Sequence, residues 1–188
     1  MKRRIILTED GSHSLFVEEM DEPYHSVHGA IRESMHVFIE AGLCFIGKKD
    51  LRILELGFGT GLNALLTLTE AKKNEQKVHY HSVEKYPLRE EEYLHLNFEQ
   101  QIGDCPEGSL TKLHSAAWDY PVEITPEFTL FKEQSDFREM SPQGHFNLVY
   151  YDAFAPQKQP QLWSEDIFRK IAGQLQPGGI LLLSLIHI

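Results

Sequence analysis

Short apolar runs alternate with amphipathic stretches along most of the chain, which is the pattern of an α/β protein. Ile53, Leu54 and Leu56 form a run suited to a parallel strand buried on both faces. Leu62, Leu65, Leu66 and Leu68 then fall at helical spacing. Further strands are expected at Val78 to Val83, Phe128 to Phe131 and Phe146 to Tyr151, and a fifth follows the turn at Pro177 and Gly178. Val122 to Thr125 alternates as a strand and reads as an antiparallel partner or insertion before the third parallel strand. Ahead of this sheet, Ile5 to Leu7 and Ser14 to Val17 flank Asp10-Gly11, a hairpin signal. A helix is expected from Ala30 to Ala41, with Ile31, Met35, Phe38 and Ile39 on one face and Gly42 as its stop. Others are expected from Arg89 to Phe98 and after the cap Ser164. Residues 1–48 thus read as a hairpin-and-helix extension and 49–188 as the domain that carries the sheet.

The candidate chemistry lies at strand ends. Gly57, Gly59 and Gly61 join the first sheet strand to its helix, and glycines there let the backbone turn sharply and approach a ligand closely. The spacing Glu55-x-Gly57-x-Gly59-x-Gly61 differs from the Gly-x-Gly-x-x-Gly phosphate fingerprint, and the nearby carboxylate favours a cationic or amine-bearing ligand over pyrophosphate. Taken alone, these residues also suit an unliganded strand-to-helix turn. Glu84 ends the second strand, at the carboxyl edge where open α/β sheets bind ligands and where an acid can accept from ribose hydroxyls. Asp136, past the third strand, suits either an adenine amino group or a helix N-cap. Asp152 ends the fourth strand and is followed by an aromatic, proline-containing loop.

Composition narrows the class. With 41% hydrophobic and 24% charged residues the chain reads as a soluble globular protein. Its apolar run at Ile5 to Leu7 is too short for a signal peptide or membrane span. Cys44 and Cys105 lack metal-ligand or redox-pair spacing, which fits free thiols in a reducing cytoplasm. The ten histidines form no metal-ligand motif, so no metal is expected. A net charge of −10 opposes nonspecific attraction to a polyanion. Local basic clusters remain at Lys2, Arg3 and Arg4 and at Lys72, Lys73 and Lys77, and these read equally as solvated faces.

The glycine motif is similar to the first motif of class I methyltransferases, which bind S-adenosyl-L-methionine. Four stretches together carry a narrower resemblance: Asp21-Glu-Pro-Tyr-His-Ser26 with Glu33-Ser-x-His-Val-Phe38; Glu55-Leu-Gly-Phe-Gly-Thr-Gly-Leu-Asn63; Val83-Glu-Lys-Tyr-Pro-Leu88; and Asp152-Ala-Phe-Ala-Pro156-x-Lys158-x-Pro160-x-Leu162-Trp163. On these the chain resembles the MnmC-like family of tRNA 5-methylaminomethyl-2-thiouridine methyltransferase domains. The resemblance implies a Rossmann-like class I methyltransferase sheet with helices on both faces. It also implies N-methylation of the aminomethyl group of 5-aminomethyl-(2-thio)uridine at the tRNA wobble position. Glu55, Gly57, Phe58, Gly59, Gly61, Asn63, Glu84 and Asp136 would then bind the cofactor. Asp152 would be catalytic and, with Phe154, Pro156 and Lys158, would meet the substrate, although Phe154 also suits a core position. Trp163 is assigned to packing. The implied partners are tRNA and a separate FAD-dependent oxidase of the same pathway, with no membrane and a cytoplasmic location.

The same resemblance implies two further strands and a helix after the fifth strand. The residues Leu183 to Ile188 depart from the family pattern, so the sheet reads as truncated after that strand, with an exposed edge. Competing readings are a methyltransferase or aminopropyltransferase acting on a small-molecule amine, and an inactive domain that only binds the cofactor.

Overall fold

The computed structural model describes residues 1–140 and 144–184. Strands β1 (Arg3–Leu7), β2 (His13–Val17) and β3 (Glu22–Pro23) form a small antiparallel sheet. The expected hairpin is present, with Leu7 opposite His13 as its last pair. Its turn is fixed by Asp10, whose Oδ1 accepts from Thr8 Oγ1, Ser12 N and Ser12 Oγ while Oδ2 accepts from Arg32 N. These bonds hold the Asp10 carboxyl down at about 2 against the opposing effect of burial.

The large sheet has six strands in the order β6-β7-β5-β4-β8-β9. They are β4 (Asp50–Leu56), β5 (Lys77–Val83), β6 (Pro121–Thr125), β7 (Phe128–Glu133), β8 (Phe146–Tyr151) and β9 (Leu175–Leu183). All neighbours are parallel except β6 and β7, the antiparallel pair anticipated from the alternation. Between β8 and β9 the pairing jumps from Phe146–Leu175 to Leu148–Ile180, so the Pro-Gly-Gly segment bulges out of register. On one face, helix α2 (Leu62–Lys73) packs with Leu51, Ile53, Tyr80 and Tyr150. The opposite face buries Leu54, Leu56, Val149 and Tyr151 against helix α6 (Glu165–Gln174). Leu15, Phe38, Ile39 and Leu43 belong to the same core as Leu51 and Ile53, so the first 48 residues pack as part of one body. Among the described residues β9 ends the sheet; of the stretch expected to depart, Leu183 closes β9 and Ser184 bonds Tyr151 O and Glu33, while the last four residues lie outside the described ones.

Two helix expectations need correction. The helix at Ala30 does not stop at Gly42: α1 (Ala30–Ser34) continues as a π-helical segment through Cys44. Gly42 is instead the point of contact with β9, since a Cβ there would lie 2.3 Å from Leu182 Cδ1. The helix expected from Arg89 to Phe98 is two short pieces, α3 (Glu90–Tyr93) and α4 (Phe98–Gln101). Between them the Asn97 side chain bonds the hairpin, accepting from His13 N and donating to Gly11 O, and this long-range pull overrides local helix propensity. Helix α5 (Ser109–Ser115) precedes β6.

Three members of the basic clusters are engaged by acids. Lys2 pairs with Glu18 and Lys73 with Glu70, and Arg3 turns inward. Arg3 Nη1 bonds both Glu92 carboxylate oxygens while Nη2 donates to Tyr86 O. Both side chains are buried, and Arg3→Ala leaves Glu92 only its contacts with Arg89, so the change is expected to destabilise the fold by about 2 kcal/mol in chemical denaturation.

Candidate active site

The carboxyl ends of the parallel strands are level, because Leu56 pairs with Val83 and with Tyr151. The residues that follow these ends, Gly57, Glu84 and Asp152, line one cavity together with Phe58, Gly59, Thr60, Leu62 and Asn63. Three backbone bonds close the edge: Gly57 N to Val83 O, Asp152 N to Leu56 O, and Glu84 N to Glu133 O.

The glycines are needed where they stand. Gly57 has φ +101, and a Cβ there would lie 2.5 Å from Asp152 O; Gly59 has φ +50, and a Cβ would meet the Tyr24 ring at 3.1 Å. Gly61, in the left-handed region, precedes α2, whose N-terminus has no side-chain cap.

Glu84 is tied to the loop it faces. Its Oε2 accepts from Gly59 N at 3.0 Å and its Oε1 from Tyr86 N at 2.7 Å, which aims the carboxylate into the cavity and leaves lone pairs for further donors. Asp136 also lines the cavity, gripped by Arg138 Nε and Nη2 and by Lys85 Nζ. Those cations, Arg138 foremost, hold its carboxyl well below the usual range. Its Oδ1 additionally accepts from Arg138 N, so Asp136 caps a turn as well as facing the cavity.

Asp152 lies at the cavity wall, with Oδ2 accepting from Asn63 Nδ2 at 2.8 Å. Desolvation pushes its carboxyl up to about 7; the Asn63 bond opposes this and the Glu33 charge adds to it. Glu33 is itself fixed by Ser184 Oγ and Ser26 N. Phe154 follows at the rim, edge-on to Tyr24 with ring centroids 5.1 Å apart. Trp163 donates to Phe154 O and packs on Tyr151 and Phe168, the packing role expected of it.

Four of the residues proposed from sequence are not at the cavity, Gly61 among them, because its Cα faces His114, Phe58 and Leu110. Glu55 is fully buried beneath the loop, accepting from Ser82 Oγ at 2.6 Å; the strand alternation that turns Ile53 toward α2 turns Glu55 the same way. Pro156 and Lys158 fall in the turn after Phe154, and Gln159, Gln161 and Leu162 take the rim positions instead. The cavity also gains residues that no spacing rule identifies: Met1, Tyr24, His25, Lys85, Phe137 and Arg138. Tyr24 belongs to the Asp21 to Ser26 stretch, and only the packing of the hairpin onto the glycine loop brings it here. His25 is wholly buried and links Ser14 Oγ to Thr60 Oγ1, and burial holds its imidazole down at about 4, in the neutral form. No cluster of three metal-ligating side chains occurs among the described residues.

Residues 128–183 match the family model described as S-adenosyl-L-methionine-dependent methyltransferase. The chain is 32% identical over 184 residues to the tRNA 5-methylaminomethyl-2-thiouridine biosynthesis bifunctional protein MnmC of Ralstonia nicotianae, covering 88% of this chain and 27% of that protein. It is 29% identical over 170 residues to the MnmC of Campylobacter concisus, again 88% of this chain and 27% of the relative. The crystal structure of MNMC2 from Aquifex aeolicus superposes with a TM-score of 0.76 at 28% identity, over 96% of this chain and 59% of that one. The chain spans about a quarter of the length of the curated relatives. It is thus MnmC-like over most of its own length and has the class I methyltransferase fold.

Proposed function

We propose that this chain is an S-adenosylmethionine-dependent N-methyltransferase whose substrate is the aminomethyl group of 5-aminomethyl-(2-thio)uridine at the wobble position of tRNA. The observation that carries this reading is the meeting of Gly57, Gly59, Glu84 and Asp152 in one cavity, with the Asp152 carboxyl at the point where an amine would enter.

The residues fit the cofactor. A backbone cradle that a Cβ at Gly59 would fill, with the uncapped start of α2 beside it, suits the methionine end. Glu84, already bonded through Gly59 N, suits the ribose hydroxyls, and Asp136 with Phe137 the adenine. When bound, S-adenosylmethionine supplies a methyl group already activated on a sulfonium, so the protein's work is mostly orientation. Asp152 accepts a hydrogen bond from the neutral amine and takes its proton, directly or through water, as the nitrogen gains its methyl group. Asn63 fixes the carboxylate that does this. Tyr24 and Phe154 present aromatic walls above Asp152, the surfaces on which an unstacked pyrimidine is held.

Glu33, Glu84 and Asp152 make the surroundings of the transfer point acidic, which favours a cationic cofactor and an amine. The names of the relatives point to tRNA as the substrate. They are bifunctional proteins several times longer than this chain. A FAD-dependent oxidase of the same pathway is the second proposed partner. No helix among the described residues is long and apolar enough to cross a membrane, and a tRNA substrate places the enzyme in the cytoplasm.

Glu84→Ala removes the acceptor for Gly59 N and Tyr86 N as well as the ribose contact. Cofactor affinity measured by calorimetry is expected to fall about 100-fold. Wild-type affinity in the variant contradicts the placement of the ribose. For the reaction itself, turnover is expected to rise with pH through about 7 as Asp152 ionises. In Asp152→Asn that limb disappears, leaving only the amine's own titration at higher pH.

A further inference from the structure

Glu55 stands where the pattern of β4 calls for an apolar residue, between α2 and the sheet, and it is wholly excluded from solvent. Its neighbours across the sheet are Ser82 on β5 and Tyr150 on β8. Burial raises the Glu55 carboxyl and the Asp152 charge adds to this, while its neighbours Ser82, Tyr80 and Asn63 pull the other way. Ser82 Oγ serves Oε2, but Oε1 has no partner, and no cation pairs with Glu55 among the described residues. Asn63 Oδ1 and the hydroxyls of Tyr80 and Tyr150 are likewise buried and unpartnered.

These orphaned atoms have one economical resolution. An ionised, uncompensated carboxylate in such a place costs several kcal/mol, and a second one on Asp152 close by adds like-charge repulsion. A neutral carboxyl removes both penalties and becomes a donor for one of the buried acceptors. We propose that Glu55 works as a neutral carboxylic acid that positions Asp152, donating to the Asn63 side chain so that the Asn63 amide presents its N–H, and not its oxygen, to Asp152. Glu55 is thereby a positioning residue beneath the loop and does not touch the cofactor. The arrangement also divides two nearby acids into fixed roles: one keeps its proton, the other titrates in the working range. Burial supports the neutral form by pushing the Glu55 carboxyl up to about 8.

The test is carboxyl-carbon NMR of the full chain labelled at Glu and Asp side chains, titrated from about pH 5 to 9, with Glu55→Gln identifying the Glu55 signal and Asp152→Asn the Asp152 signal. This readout needs no substrate. It therefore fails or succeeds independently of the proposed reaction, on which only the turnover arm below depends. The expected result is a Glu55 signal in the neutral-acid position at about pH 7, with Asp152 titrating at the same midpoint in wild type and in Glu55→Gln, because glutamine keeps a donor and carries no charge. Glu55→Leu, which removes the donor, is expected to move the Asp152 midpoint and to cut turnover about 10-fold or more, with the glutamine variant rescuing both. A Glu55 signal already ionised at about pH 6 overturns the proposal. So does an Asp152 midpoint that drops in Glu55→Gln, the mark of a lost negative charge, or one that stays at its wild-type value in Glu55→Leu.

Discussion

Replacing Asp152 with alanine is expected to lower kcat by about 100- to 10,000-fold while leaving S-adenosylmethionine affinity within a few-fold of wild type, since in the proposed arrangement its side chain meets the amine while Gly57, Gly59 and Glu84 hold the cofactor. Equal turnover in the variant refutes the role. The same residue should show the conflict between function and stability. Its folded-state value, about 7, lies above the ordinary carboxylate value, so the folded protein holds the Asp152 proton more tightly than the unfolded chain does. The stabilisation that follows is fully present below the ordinary carboxylate value and is lost as pH rises through about 7. Asp152→Asn should therefore melt at a higher temperature than wild type in mildly alkaline buffer, and the difference should vanish in acid. A variant that melts lower at both pH values contradicts the cost assigned to burying this acid.

Gly57→Ala is expected to be the most damaging single change in the loop. Its φ of +101 is strained for any L-residue, and the new Cβ would lie 2.5 Å from a backbone atom, Asp152 O, which cannot swing aside as a side-chain tip could. The clash falls on the junction that holds the glycine loop against the start of the Asp152 loop. The expected loss is on the order of 2–4 kcal/mol in denaturant titration, with cofactor binding weakened at least about 10-fold. Gly108→Ala provides the contrast: that glycine is also at positive φ, but its Cβ would meet nothing within 4 Å. The same backbone strain then appears without the clash, and the variant should cost less stability and leave cofactor affinity intact. If both substitutions cost the same, the close approach at Gly57 carries no weight.

What could be read from the sequence follows from how local each signal is. The strand-turn-helix at Ile53 to Leu68 and the acids Glu84 and Asp152 at strand ends are set by backbone geometry within one βα unit, so spacing alone places them at a common edge. The hairpin at Asp10-Gly11 is similarly local, and its turn is closed by Asp10 itself. The errors lie where distant residues decide. Asn97 breaks its helix by bonding the hairpin, and Gly42 continues its helix because Leu182 needs the space. Tyr24 reaches the cavity only because the hairpin folds over Gly59. Glu55 is a different case: leading the motif, it reads as a ligand, yet local strand alternation points it into the core, where it faces Ser82 and not the cavity. Lys158 and Pro156 belong to a distinctive motif, but the loop passes the cavity with Phe154 and returns to it with Gln159.

The central claim is that the amine meeting Asp152 belongs to a modified uridine in tRNA. The most direct measurement incubates the protein with methyl-labelled S-adenosylmethionine and tRNA bearing 5-aminomethyluridine, digests the RNA to nucleosides and locates the label by mass spectrometry. The account predicts label in 5-methylaminomethyluridine, and none in tRNA that lacks the aminomethyl group. Protein that binds the cofactor and methylates a free small-molecule amine, but leaves this tRNA unlabelled, would contradict it.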